Sequence, residues 1–91
     1  MAVTNAKLTM LKVDLGVTGT DYDDRLSQYI TSAEQMIGTE GITLTDSPED
    51  QQLVVSYAAW LWRRRDSGSG MPRMLRFLLN NRLFAEKAGT A

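Results

Sequence analysis

Neither cysteine nor histidine occurs anywhere in the 91 residues. The first absence removes disulfides, thiolate nucleophiles and cysteine metal sites. The second removes the usual proton carrier near neutral pH and the commonest metal ligand. Only two prolines interrupt the chain. No apolar run approaches the roughly 20 residues that a membrane-spanning helix needs. The start, MAVTNAKLTM, lacks the basic head, apolar run and cleavage site of a signal peptide. The expectation is a soluble protein made and kept in a cytoplasm. No internal repeat or low-complexity segment is visible.

What remains is 43% hydrophobic and 23% charged, the composition of one globular domain spanning 1–91. A domain of this size buries roughly 60–70% of its unfolded surface, enough for one core with modest reserve. The net charge of −1 hides an uneven distribution. Residues 1–62 carry three cationic side chains against nine carboxylates, net −6; residues 63–91 carry seven against two, net +5. Such asymmetry implies an anionic partner for the basic end, or a neighbour presenting the opposite patch.

Four helical segments and no strand follow from the apolar periodicity. The first, about Asn5–Leu15, places Leu8, Leu11 and Leu15 on one side, with Lys7 and Lys12 expected on its surface and Gly16 as its stop. The second follows Gly19-Thr20-Asp21, where Thr20 or Asp21 can cap the first turn and Asp23 and Asp24 suit the helix dipole. Tyr22, Leu26, Tyr29, Ile30, Ala33 and Ile37 form its apolar stripe, and Gly38 and Gly41 end it. A link, Ile42–Asp46, leads to the clearest start signal in the chain, Ser47-Pro48-Glu49-Asp50. From Leu53 to Trp62 only Ser56 is polar. That third segment is therefore a central helix, or one whose outer face meets another subunit.

Ser67-Gly68-Ser69-Gly70 reads as a flexible break. The fourth helix starts near Pro72, with Leu75, Leu78, Leu79 and Leu83 on one side and Met74, Phe77 and Phe84 on the next. Asn80-Asn81 weakens or ends it, leaving Arg82–Ala91 as an arm or frayed tail. The fold class is all-α: a small bundle of about four helices whose last element, about 72–91, is a mobile helix or arm.

Catalytic and metal chemistry find little support in these residues. A nucleophile would need a Ser–Lys or carboxylate pair, and no serine stands near Lys7 or Lys12. The run DYDD lacks the glycine and distal glutamate of a calcium loop, and its acids fit helix capping instead. GSG precedes a helix without the lysine and spacing of a phosphate loop. No enzyme activity, cofactor or metal is expected. Arg63, Arg64 and Arg65 suit a solvated helix C-terminus. They cannot share one face, because successive residues point about 100° apart. They also do not interleave with Trp60 and Trp62 as a base-stacking platform. The aromatic residues read as core, though one tryptophan beside arginines has the chemistry of an interface anchor.

The strings MLKVDLGVTGTDYDDRLSQYITSAEQMIG and SPEDQQLVVSYAAWLWRRRDSGSGMPRMLRFLLNNRLF resemble the head–tail connector, or head-completion, proteins of long-tailed bacteriophages and prophages. The similarity runs from about Leu11 to Phe84, and YAAWLWRRRD and GMPRMLRFLLNNRLF are its most specific pieces. The resemblance implies a non-catalytic helical subunit of a dodecameric ring in the virion, at the head–tail junction. Such a ring sits below the portal and offers the surface on which the remaining connector and tail assemble. It also implies a C-terminal arm reaching the portal, about Arg73–Lys87. The partners implied are further copies of the chain, the portal protein and downstream connector or tail proteins, with non-specific contact to DNA in the lumen and no membrane.

The residues expected at the portal or neighbour interface are Trp60, Trp62, Arg63, Arg64, Arg65, Arg73, Met74, Arg76, Phe77, Arg82 and Phe84. Surplus apolar area beside clustered arginines motivates that choice. The alternative function is a small helical DNA-binding regulator, which would hold duplex DNA with steep salt dependence.

Overall fold

The computed structural model describes residues 2–67 and 70–89, with side chains given for 6–64 and 70–88. Four helices follow in order: α1 (Ala2–Leu15), α2 (Asp23–Thr39), α3 (Pro48–Ser67) and α4 (Arg73–Gly89). No strand occurs among the described residues. The protein is a small all-α bundle.

α3 is the hub, packing against each of the other three helices. Its near-continuous apolar run explains why: Leu53, Val54, Val55, Tyr57, Ala58, Ala59 and Leu61 are all buried. Leu11 of α1 and Leu26, Ile30, Ala33 and Ile37 of α2 complete the core around it. Each fully buried aliphatic side chain stabilises the fold by roughly 1.5–3 kcal/mol over its exposed state.

The helix ends show the local chemistry. Gly16 takes φ +73°, while its amide reaches the Val13 carbonyl and the Val17 amide reaches Lys12. That double bond pattern is a Schellman stop, which a left-handed glycine makes cheap. Ser47 caps α3 as expected, its hydroxyl accepting the Asp50 amide at 3.2 Å, with Pro48 as first helical residue.

Four expectations need correction. At α2 the N-cap is Tyr22, with no side-chain capping bond. Thr20 instead uses its carbonyl, which accepts the Asp23 amide, and Asp23 itself pairs with Lys12 at 2.8 Å. Gly38 lies inside α2; the left-handed turn is Gly41, at φ +102°. A Cβ on Gly41 would stand 3.3 Å from Leu83 Cδ1, a tight contact that a small shift of the leucine tip would have to relieve. Lys7 is no surface residue. It is 4% exposed and ion-paired with Glu34 of α2, so its buried ammonium has the partner it needs.

The fourth correction concerns the end of the chain. α4 runs through Asn80-Asn81 without a break, because residues beyond them are anchored to the body. Leu83 packs on the core, and Arg82 and Glu86 bind the link between α2 and α3. The expected break at Ser67–Gly70 falls partly on Gly68 and Ser69, which lie outside the described residues.

Candidate assembly interface

α4 lies antiparallel along α3. Its start is tied near the end of α3 by Trp60, whose indole N–H donates to the Gly70 carbonyl at 3.2 Å. Its far half returns to the start of α3, where Arg82 meets Asp50. Among the described residues of this helix only Leu75 and Leu79 are buried.

A polar clasp does the rest of the fastening. Arg82 Nε and Nη2 donate to the two Asp50 carboxylate oxygens at 2.8 and 3.2 Å. Nη2 also donates to the Thr43 carbonyl at 2.7 Å, and Nη1 to Glu86 at 3.1 Å. Asp50 is 2% exposed and accepts further bonds from the Thr45 amide and hydroxyl. The Arg82 hydrogen bonds, then those from Thr45, hold its carboxyl below the usual range against the opposing effect of burial. Glu86 is lowered too, first by the Thr43 amide and then by Arg82. A forked guanidinium suits this bidentate grip as an ammonium would not. Nearly two turns earlier, Arg76 pairs with Glu40 at 3.2 Å.

These contacts change the meaning of the charge asymmetry. The basic end and the acidic body meet within one subunit, at Arg63–Asp14, Arg76–Glu40 and Arg82–Asp50. Arg82, and to a lesser degree Arg76, are thus fasteners of α4 onto its own body.

The two tryptophans divide their work. Trp62 meets Tyr22 and Tyr29 edge-on, with centroids 5.6 and 5.8 Å apart, and so joins α2 to α3. Trp60 meets Tyr57 edge-on at 5.5 Å, and the Arg64 guanidinium covers its ring at 4.9 Å. Such contacts add a modest increment to area burial, of order 1 kcal/mol each. Both rings are half-buried. Arg63 turns instead toward α1, donating to the Asp14 carbonyl at 3.4 Å. The arginine run therefore diverges, as its spacing requires; the side chain of Arg65 lies outside the described residues.

Most of the exposed large apolar side chains lie on the outer side of α4, with Val13, Tyr22 and Met36 exposed elsewhere. Met74, Phe77 and Phe84 are 67%, 59% and 77% exposed. Leu78, expected among the inward leucines, is 39% exposed and belongs with them. Arg73 is exposed at the head of this stripe. Between α3 and α4 runs an open groove of about 400 Å³, walled by Pro48, Gln52, Leu53 and Leu78, with Glu49 at its rim and the Asp50–Arg82 pair at its end. The sequence pattern disclosed the stripe; nothing in it disclosed the groove, which exists only once α4 lies beside α3.

No family model, curated protein or solved structure matches the chain. Among the described residues no helix is long and apolar enough to cross a membrane.

Proposed function

We propose that this protein is a non-catalytic virion adaptor, assembling as a ring between the portal and the tail of a long-tailed phage. The observation that carries this reading is the outward face of α4. A helix fastened inward by Arg76, Arg82 and Glu86 and carrying Met74, Phe77, Leu78 and Phe84 outward is built backwards for a solitary molecule. Contiguous apolar area of this kind marks a contact surface. The resemblance of YAAWLWRRRD and GMPRMLRFLLNNRLF to head-completion proteins supplies the identity of the partners: other copies, the portal, and downstream connector or tail proteins. A ring also requires two different patches on each subunit, and the groove beside α4 is a second patch.

The arginines left facing solvent, Arg64 and Arg73, suit carboxylates of a partner or phosphates of passing DNA. The chain would act in the virion, at the head–tail junction, after synthesis in the bacterial host cytoplasm.

Native mass measurement and negative-stain imaging, of the chain alone and mixed with its portal, test this reading. Rings, or a chain bound to portal, are the expected result. A monomer that ignores the portal overturns it. If the monomer instead binds duplex DNA with an affinity falling steeply with salt, the regulator reading takes its place.

A further inference from the structure

The exposed stripe of α4 and the α3–α4 groove adjoin at Leu78, and the charges at their far ends are complementary. At the end where α3 finishes and α4 begins stands an exposed corner of Met74 and Phe77, with Arg73 beside it and Met74 also edging a shallow pocket against Trp60 and Arg63. Arg73 is exposed and has no ion-pair partner among the described residues. At the opposite end, where α3 begins, the groove offers Pro48, Leu53 and Leu78 as walls. Its rim carries Glu49, also exposed and also without an ion-pair partner there. Nearly every other charge close to these two sites is already matched within the subunit: Arg76 with Glu40, and Arg82 with Asp50 and Glu86.

The groove is poorly suited to a polar small ligand. Its volume of about 400 Å³ sits at the low end of the ligand-pocket range, roughly 300–1,000 Å³. The two polar groups at its end, Asp50 and Arg82, are bound to each other and Gln52 donates to Ser56, which leaves Glu49 as the one charged group of the lining without an ion-pair partner. An apolar side chain with one cation beside it fits both the walls and the rim, and the chain carries that combination itself.

We propose that copies of the chain associate head to tail, the Met74–Phe77 corner of one seating in the α3–α4 groove of the next, with Arg73 against Glu49. The contact is heterologous, so repetition of it generates a ring when the rotation closes and a filament when it does not. This deepens the adaptor reading, on which it rests for the choice of a second copy as occupant, by naming the two faces that meet.

The absence of cysteine from the chain makes a clean test available. Gln52→Cys, at the groove, and Phe77→Cys, on the corner, both alter exposed positions. Oxidised together in one chain they give a ladder of cross-linked dimers, trimers and longer species. Each alone gives at most trace dimer, and an equimolar mixture of the two single variants gives dimer only. Arg73→Glu or Glu49→Arg weakens the ladder roughly tenfold or more, and combining them in one chain restores it, since opposed like charges disfavour a docked pair.

Phe77→Cys alone dimerising as readily as the mixture would mean that corner meets corner, and the proposal falls. Absence of any ladder overturns it equally. Rings seen by imaging without the cross-link leave the adaptor reading standing and remove this interface. A ladder from a protein that neither closes into rings nor binds portal keeps this interface and removes the adaptor reading.

Discussion

In the α1–α3 body, leucine, isoleucine, valine and alanine side chains make the core, with Lys7 and Asp50 as its buried charges and Val13, Tyr22 and Met36 left exposed. Among the described residues of α4 only Leu75 and Leu79 are buried; the inward side also carries Arg82, Leu83 and Glu86, and the outward side carries Met74, Phe77 and Phe84. The same chain thus builds one part by hydrophobic burial and attaches the other largely by directional hydrogen bonds between charged groups. The difference separates two tasks. A core needs apolar area removed from water, whereas a helix that must keep apolar area available needs another means of being held.

The largest effect expected from this contrast comes from Arg82→Met. It leaves the nearly buried Asp50 carboxylate without its partner, a loss of about 3–5 kcal/mol where a buried pair is broken on one side. Urea unfolding measures it. A loss below about 1 kcal/mol, the value of an exposed pair, would mean that the clasp adds little and that α4 is held chiefly by the apolar contacts of Leu75, Leu79 and Leu83.

Acidification probes the same attachment with a smaller effect. Asp50 and Glu86 both hold their protons less readily in the folded chain than in the unfolded one. The unfolded chain therefore takes up protons first, and the stability contributed by these groups is present above the ordinary carboxylate range and lost as pH falls. The urea midpoint should decline from about pH 5 downward, over the range in which unfolded carboxylates titrate. The decline should be shallower in Asp50→Asn, and an equal slope in that variant would remove Asp50 from the account.

The smallest effect on stability belongs to Phe84→Ser. Phe84 is 77% exposed, so its replacement should shift the unfolding free energy by no more than about 0.5 kcal/mol. Replacing a buried residue of the body, as in Ile30→Ala, should cost about 2–5 kcal/mol. If the two losses were comparable in the isolated chain, the outward face of α4 would be part of the subunit's own core.

Much of the body was legible in the sequence. The i, i+4 and i+7 spacing of Leu26, Ile30, Ala33 and Ile37 dictates one buried stripe, and Ser47-Pro48 dictates where α3 begins. The apolar surplus on α4 was visible too, because Met74 and Phe77 cannot share a side with Leu75 and Leu79. Local pattern gave no access to the clasp. Arg76 and Glu40, or Arg82 and Asp50, stand more than thirty positions apart, and their meeting depends on the path of the α3–α4 connection. Charges that sequence alone assigned to neighbouring copies are for that reason partly joined within a subunit. Asn80-Asn81 misled similarly: their low helix propensity is weak beside anchors on either side of them. Lys7 was misplaced because a lone lysine reads as surface until the carboxylate facing it, Glu34 on another helix, is known.

The Arg82 knot has one further implication. Guanidinium stays protonated and its carboxylates stay ionised across roughly pH 5 to 9, and the chain has neither imidazole nor thiol to respond in that interval. Changes of acidity within that interval leave the knot as it is. A competing surface that brought its own carboxylates to Arg82 would untie the knot and free the far half of the last helix.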